Sequence, residues 1–109
     1  MNISPEVRSN LKELVALRRA IHQYPEAGFK EYRTSALIRS RLKGWGVEHR
    51  SMCGTGVVGL IKGSKPGPTM LIRADMDALP VTELNKVPYC SRNKGVMHAC
   101  GHDGHVAMA

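Results

Sequence analysis

Two short apolar segments in the middle of the sequence limit the folds available to the chain. Residues 57–61 (Val-Val-Gly-Leu-Ile) and 69–74 (Thr-Met-Leu-Ile-Arg-Ala) are apolar at nearly every position. Such segments are typical of strands that are covered on both faces, as in α/β proteins. We therefore predict two buried strands, separated by a turn at residues 64–68. A short strand at 47–50 and a tight turn at 54–56 are predicted before them.

Two amphipathic helices are predicted ahead of these strands. Ser4 is a suitable N-cap, Pro5 suits the first helical position, and apolar residues then recur every three or four positions up to Ile21. A second helix is predicted over residues 31–43, with Gly44 ending it. Two helices followed by buried strands indicate an α/β fold.

The charge of the chain is basic but evenly distributed. Sixteen Lys and Arg against nine Asp and Glu give a net charge of +7 over 109 residues, the length of one domain. Such a charge is compatible with a basic nucleic-acid-binding domain. However, no basic run exceeds the pair at residues 18–19, and no apolar stretch approaches the roughly 20 residues that span a bilayer. We therefore expect neither a nucleic-acid nor a membrane partner.

The cysteines indicate a reducing environment. Cys53, Cys90 and Cys100 are odd in number and widely spaced, which is a poor disulfide framework for a small domain. Reduced thiols and a cytoplasmic location fit this pattern better. A cysteine close to several histidines is then a candidate metal ligand or nucleophile.

The densest cluster of reactive side chains is Met-His-Ala-Cys-Gly-His-Asp-Gly-His at residues 97–105. In an extended segment alternate side chains share a face, which would aim His98, Cys100 and His102 the same way. Gly101 lets the backbone bend between two ligands. Thiolate with imidazole suits Zn²⁺ or another borderline first-row ion. The alternatives are a thiol nucleophile with a histidine base, or a buried cysteine among surface histidines.

A second cluster follows the second apolar segment. Asp75 and Asp77 lie two residues apart where the strand is predicted to end, and the long segment 75–104 has no sustained periodicity. Two carboxylates this close repel unless a cation balances them, and Arg73, a metal or a metal-bound histidine would serve. Turn hydrogen bonds before Pro80 are the alternative reading.

The end of the first helix carries a third polar group of residues. Arg18, Arg19 and His22 lie in its last turn, where their charge favours the negative end of the helix dipole. This is a sufficient structural explanation, and neither His22 nor Glu26 is predicted to be catalytic.

Five segments together resemble, in order, the N-terminal part of the M20 metallopeptidase family. The resemblance is to its aminoacylase-like amidohydrolase branch, which contains hippurate hydrolases, N-acyl-amino-acid amidohydrolases and auxin-conjugate hydrolases. The two longest segments, Arg-Ala-Asp-Met-Asp-Ala-Leu-Pro and Met-His-Ala-Cys-Gly-His-Asp-Gly-His, are specific. The segments are residues 18–26, 54–56, 66–68, 73–80 and 95–105.

The resemblance implies the N-terminal part of a zinc-peptidase-like catalytic domain, with two helices, buried strands and a long metal-site loop. It implies hydrolysis of the amide bond of small N-acyl amino acids with two divalent ions, Mn or Zn and possibly Co or Ni. Cys100 and His102 match metal ligands in this branch, and His98 is kept as an alternative ligand. Asp75 and Asp77 match a segment beside the metals, where Asp77 could orient a ligating histidine.

The resemblance also implies that this segment contains no catalytic residue. The general-base glutamate of the family, the acidic ligand next to it, two further histidine ligands and the lid or dimerisation domain all match positions beyond Ala109. We therefore expect residues 1–109 to be an incomplete catalytic domain that is inactive alone, in a protein that could form a homo-oligomer. A small stand-alone metal-binding module is the alternative.

Overall fold

The structure is a computed structural model that describes residues 3–109. Its order of elements confirms the α/β class and both predicted helices. A two-stranded sheet follows the helices, and a third helix lies near the C-terminus. The elements are α1 (Pro5–His22), α2 (Tyr32–Gly44), β1 (Glu48–Met52), β2 (Gly56–Leu60) and α3 (His102–Met108).

Helix α1 begins as its sequence predicts. The Ser4 hydroxyl accepts a hydrogen bond from the Val7 backbone N–H at 3.4 Å, and Pro5 occupies the first position, where no N–H is needed. The helix ends at His22, before the buried Pro25. Its last turn packs against α3, so the C-terminal end of α1 is the part that reaches the predicted site.

Helix α2 is capped by a residue outside it. The Glu26 carboxylate accepts hydrogen bonds from the backbone N–H groups of Arg33 at 2.9 Å and Thr34 at 2.8 Å. These are two of the N–H groups that a helix start leaves without partners. The helix includes Gly44, one residue beyond the predicted end, and the chain turns at Gly46, where φ is 69°.

The sheet is an antiparallel hairpin against which α2 packs. Glu48 lies opposite Leu60, and Met52 lies opposite Gly56. A Cβ atom at Gly56 would lie 2.7 Å from the Met52 carbonyl oxygen, so the tight turn requires glycine at this position.

The burial predicted for the two apolar segments is wrong for this chain. Residues 57–60 do form a strand within β2, but Leu60 and Ile61 are exposed because the two-stranded sheet offers only α2 as cover. Residues 69–74 are not a strand, and Met70 and Leu71 are each 86% exposed. A strand needs a hydrogen-bonded neighbour, and no strand among residues 3–109 pairs with this segment.

The buried interior of the described residues is small and largely polar. Its apolar members are Ile21, Pro25, Ala78 and Ala107, which come from α1 and the loop after it, the long irregular segment and α3. The buried polar residues are His22, Glu31, Thr34, Ser35, Thr55, His98 and Asp103. Within residues 3–109, no helix combines the length and the apolarity that crossing a bilayer requires.

Candidate metal centre

Two short backbone pairings bring the sequence clusters together. Ala78 donates its N–H to the Glu26 carbonyl oxygen at 2.8 Å, which holds the second cluster beside the loop after α1. Leu79 and Met97 exchange two backbone hydrogen bonds of 3.0 Å, which place the start of the histidine-rich segment next to the same residues. Both predicted clusters therefore meet at one place in the fold.

The histidine-rich segment is bent, not extended. Ala99 and Cys100 form a turn, Gly101 has φ of 88°, and α3 begins at His102. Only glycine adopts this left-handed conformation without strain, which agrees with the predicted bend. The expectation that three alternate side chains share one face is wrong, because this bend separates them.

His102 and Asp77 form the central contact of the site. The His102 Nδ1 atom lies 2.9 Å from Oδ1 of Asp77 and 3.0 Å from the Asp77 backbone oxygen. Both partners accept hydrogen bonds, so Nδ1 carries the proton and donates it. In the neutral ring Nε2 then keeps its lone pair, the state in which a histidine binds a metal ion.

Cys100 and Asp75 each lie two positions in sequence before a member of this contact. The Cys100 thiol is free and exposed, as are the thiol of Cys53 and, to a lesser degree, that of Cys90. Asp75 pairs with the Arg73 guanidinium, which is one of the cations expected to balance the two carboxylates. Asp75 and Asp77 line the same surface pocket, but only Asp77 contacts His102.

His98 is buried beside His22 and within range of the charges of Asp77 and His102. It is 4% exposed, and its ring centroid is 6.3 Å from that of His22 at the end of α1. Neither of its ring nitrogens has a hydrogen-bond partner. Burial lowers the pKa of His98 below its ordinary value, and the nearby Asp103 charge offsets this only in part. The neutral form of His98 is therefore favoured.

Asp103 connects α3 to α1. Its side chain is fully buried, and its Oδ2 atom accepts hydrogen bonds from His22 Nδ1 at 2.8 Å and Arg18 Nε at 3.1 Å. Burial raises the pKa of Asp103, but the His22 hydrogen bond, the Gly104 backbone N–H and the Arg18 charge outweigh it and leave the pKa below its ordinary value. Asp103 is therefore ionised at neutral pH.

Glu83 is the site residue that sequence reasoning missed. Its side chain is 3% exposed, and its Oε1 atom lies 3.2 Å from His22 Nε2. Burial raises the pKa of Glu83, but hydrogen bonds from the Ser91 backbone N–H, Asn85 and His22 together lower it below its ordinary value. No local pattern marks Glu83, because its partner His22 lies 61 positions away.

The described residues do not by themselves surround an ion. Across residues 3–109, no three His, Cys, Asp or Glu side chains form a group able to hold a metal. The chemistry of Cys100 and of the His102 Nε2 atom nevertheless suits a borderline first-row ion. Within this part of the chain, Cys100 and His102 are therefore candidate metal ligands, and Asp77 is the carboxylate that would orient His102.

Comparison with known proteins identifies the family. A family model described as Peptidase family M20/M25/M40 matches residues 71–109. Thermostable carboxypeptidase 1 of Saccharolobus solfataricus is 49% identical over 99% of this chain and 29% of its own length. Hippurate hydrolase of Campylobacter jejuni is 45% identical over 96% of this chain and 28% of its own length.

A solved structure gives the same result. The Bacillus subtilis YxeP protein, described as a dinuclear metal-binding peptidase from the M20 family, superposes with a TM-score of 0.87 at 41% identity. The match covers 92% of this chain and 29% of that protein. The predicted M20 resemblance is confirmed: this chain corresponds to a segment of an M20-family peptidase or amidohydrolase. It spans less than a third of the length of these relatives.

Proposed function

We propose that residues 1–109 form the N-terminal part of the catalytic domain of a metal-dependent amidohydrolase that cleaves the amide bond of N-acyl amino acids. The observation that carries this proposal is the hydrogen bond from His102 Nδ1 to Asp77. This bond fixes the tautomer and the ring orientation that a metal-ligating histidine needs. The match to a hippurate hydrolase, which covers nearly the whole of this chain, supports the substrate class.

In this proposal Cys100 and His102 are ligands in a site for two divalent ions. A thiolate and an imidazole favour Zn²⁺, Co²⁺ or Ni²⁺ over Mg²⁺ or Ca²⁺, which prefer oxygen ligands, and Mn²⁺ is proposed from the M20 resemblance alone. Bound ions of this kind polarise a carbonyl and acidify a bound water. The description of the YxeP protein as dinuclear supports two ions. Asp77 holds His102, and Asp75 contributes negative charge near the site.

The carboxylates around the site already have other partners. Asp77 accepts from His102, Asp75 pairs with Arg73, and Asp103 and Glu83 are both bonded to His22. We assign none of these four as a catalytic base, because the M20 resemblance gives that role to a glutamate that matches no residue of this segment. We therefore expect this chain alone not to hydrolyse N-acetyl or N-benzoyl amino acids above background.

The remaining parts of the proposal concern the complete protein. From the M20 resemblance we propose that other parts of the protein supply the base, the other ligands and a lid or dimerisation domain, and that the protein forms a homo-oligomer in the cytoplasm. A small N-acyl amino acid is the proposed substrate. Residues 70–72 are apolar and exposed, and we propose that further elements of such a domain cover them.

Cobalt binding tests the ligand assignment. Co²⁺ bound by a thiolate gives a charge-transfer band in the near ultraviolet, and we expect this band with the unmodified chain. Cys100→Ala should abolish it, and His102→Ala should weaken or abolish it. Cys53→Ala is the matched control, since Cys53 is also a free and exposed thiol, and Cys90→Ala is a second control.

The controls should keep the full band. A band that survives Cys100→Ala, or one that disappears in Cys53→Ala, would contradict the assignment. Hydrolysis by the isolated chain that depends on Cys100 would contradict the expected lack of activity.

A further inference from the structure

A single imidazole joins the two halves of the candidate metal centre. His22 Nδ1 lies 2.8 Å from Oδ2 of Asp103, the residue directly after His102. His22 Nε2 lies 3.2 Å from Oε1 of Glu83, which is six positions beyond Asp77. One ring therefore contacts both the helix that carries His102 and the segment that carries the Asp77 carboxylate.

The geometry places a hydrogen-bond acceptor at each nitrogen of this ring. Both atoms that face His22 are carboxylate oxygens, which accept hydrogen bonds when ionised. A ring nitrogen that carries a proton therefore donates to the carboxylate that it faces. Charge-assisted hydrogen bonds of this kind are roughly twice as strong as neutral ones. The ring is nearly buried, with its side chain 7% exposed, so water competes little for these bonds.

The neighbours of this ring indicate that His22 positions the two elements that it contacts. Arg18 reaches Asp103 Oδ2 from the solvent side, and the Ser91 backbone N–H fixes the other oxygen of Glu83 at 2.6 Å. Glu83 is thus held through both of its oxygens, whereas Arg18 and His22 share the single Oδ2 atom of Asp103. A ring held between two fixed carboxylates sets the distance between the elements that carry them.

We propose that His22 is a positioning residue for the His102–Asp77 pair. It holds the first turn of α3 through Asp103 and the segment after Asp77 through Glu83, so that His102 Nδ1 stays on Asp77 and Nε2 stays directed to the metal. The expected effect of His22 on metal affinity rests on the proposed function. Its effect on the His102–Asp77 hydrogen bond can be measured without metal.

Nitrogen NMR of the metal-free full chain tests the proposal. In the unmodified chain at neutral pH, the ¹⁵N signals of His102 should show a protonated Nδ1 and an unprotonated Nε2. In His22→Gln, which can donate to only one carboxylate at a time, both signals should move toward the averaged positions of a free histidine. Co²⁺ affinity should fall about tenfold, in the range seen when outer partners of metal ligands are removed.

Two further variants make the test specific. His49→Gln is the matched control, because His49 lies in the hairpin and its Nδ1 donates only to the Val47 carbonyl oxygen at 2.9 Å. It should leave the His102 signals and the Co²⁺ affinity unchanged. If His22→Gln does not fold, Glu83→Met keeps the side-chain length, removes one of the two acceptors and should shift the His102 signals in the same direction.

The outcomes distinguish this inference from the proposed function. His102 signals that stay fixed in His22→Gln, or in Glu83→Met where that variant is needed, would overturn the positioning role even if a Cys100-dependent Co²⁺ band is present. Shifted His102 signals in a chain that shows no Co²⁺ band would support the positioning role and contradict the proposed metal ligands.

Discussion

The Nδ1 atom of His102 lies 2.9 Å from the Asp77 carboxylate and 3.0 Å from the Asp77 backbone oxygen, so one residue orients the whole imidazole. The two residues are 25 positions apart in sequence. Their contact depends on the Leu79–Met97 pairing on one side and on the bend at Gly101 on the other. A backbone pairing and a bend therefore hold together two residues that are distant in sequence.

Replacing Asp77 by Asn should weaken metal binding. The substitution keeps the shape of the side chain but removes the negative charge that increases the basicity of His102. Loss of such a partner costs about 10–100-fold in metal affinity. A Co²⁺ titration followed by absorbance measures it. Asp75→Asn is the matched control, since Asp75 pairs with Arg73 and not with His102, and its effect should be several times smaller. Equal effects would contradict the role given to Asp77.

Replacing His98 by Phe should leave the Co²⁺ band intact. Both nitrogens of His98 are buried and its ring lies beside His22, whereas the Cys100 thiol is exposed. Phenylalanine keeps most of the ring volume, so little packing is lost. His102→Phe provides the comparison and should remove or strongly weaken the band. Equal losses in the two variants would show that His98 is a ligand.

The carboxylate of Glu83 should make stability sensitive to acid. The pKa of Glu83 in the fold lies below its ordinary value of 4.5. The stabilisation is therefore complete above pH 4.5 and is lost as the pH falls through the lower pKa of the folded state, because the unfolded chain takes up the proton first. Denaturant unfolding at a series of pH values measures this dependence.

Glu83→Gln should reduce the stability at neutral pH and flatten its decline below pH 4.5. Glu13→Gln is the control, because Glu13 is an exposed residue of α1 whose contact with Arg41 lies on the surface. It should leave the decline unchanged. An unaltered decline in Glu83→Gln would show that Glu83 does not contribute to the acid sensitivity.

The helices and the hairpin turn were predictable because their causes are local. The Ser4 cap, Pro5 and the apolar spacing of α1 act within a few positions, and so does the close approach that requires Gly56. Burial was not predictable in this way. Residues 69–74 have the composition of a covered strand, but burial depends on which other elements pack against them.

The sequence could nominate candidate ligands, but it could not predict the geometry around them. The spacing of residues 98–102 indicated a metal site, and the family resemblance selected Cys100 and His102. The burial of His98 depends on its packing beside His22, which comes from the first helix and lies outside any short sequence window. The role of Glu83 depends on a partner at the far end of the sequence, so only the folded chain reveals it.

The Glu26 carboxylate caps α2 and should therefore stabilise the folded chain. It accepts three hydrogen bonds from the first turn, from the backbone N–H groups of Arg33 and Thr34 and from the Thr34 hydroxyl. Removing a helix cap costs about 1 kcal/mol, so Glu26→Ala should lower the free energy of unfolding by about that amount. Chemical denaturation followed by circular dichroism measures the change.

The matched control is Glu13→Ala, which removes an exposed carboxylate whose surface ion pair with Arg41 is worth roughly 0.2–1 kcal/mol. The Glu26 backbone oxygen also accepts a hydrogen bond from the Ala78 N–H. Loss of the cap should therefore destabilise the site as well as α2. Faster hydrogen exchange at both the Thr34 and Ala78 amides is therefore expected in Glu26→Ala. Exchange that changes at Thr34 alone would show that the cap stabilises α2 without supporting the segment that carries Asp77.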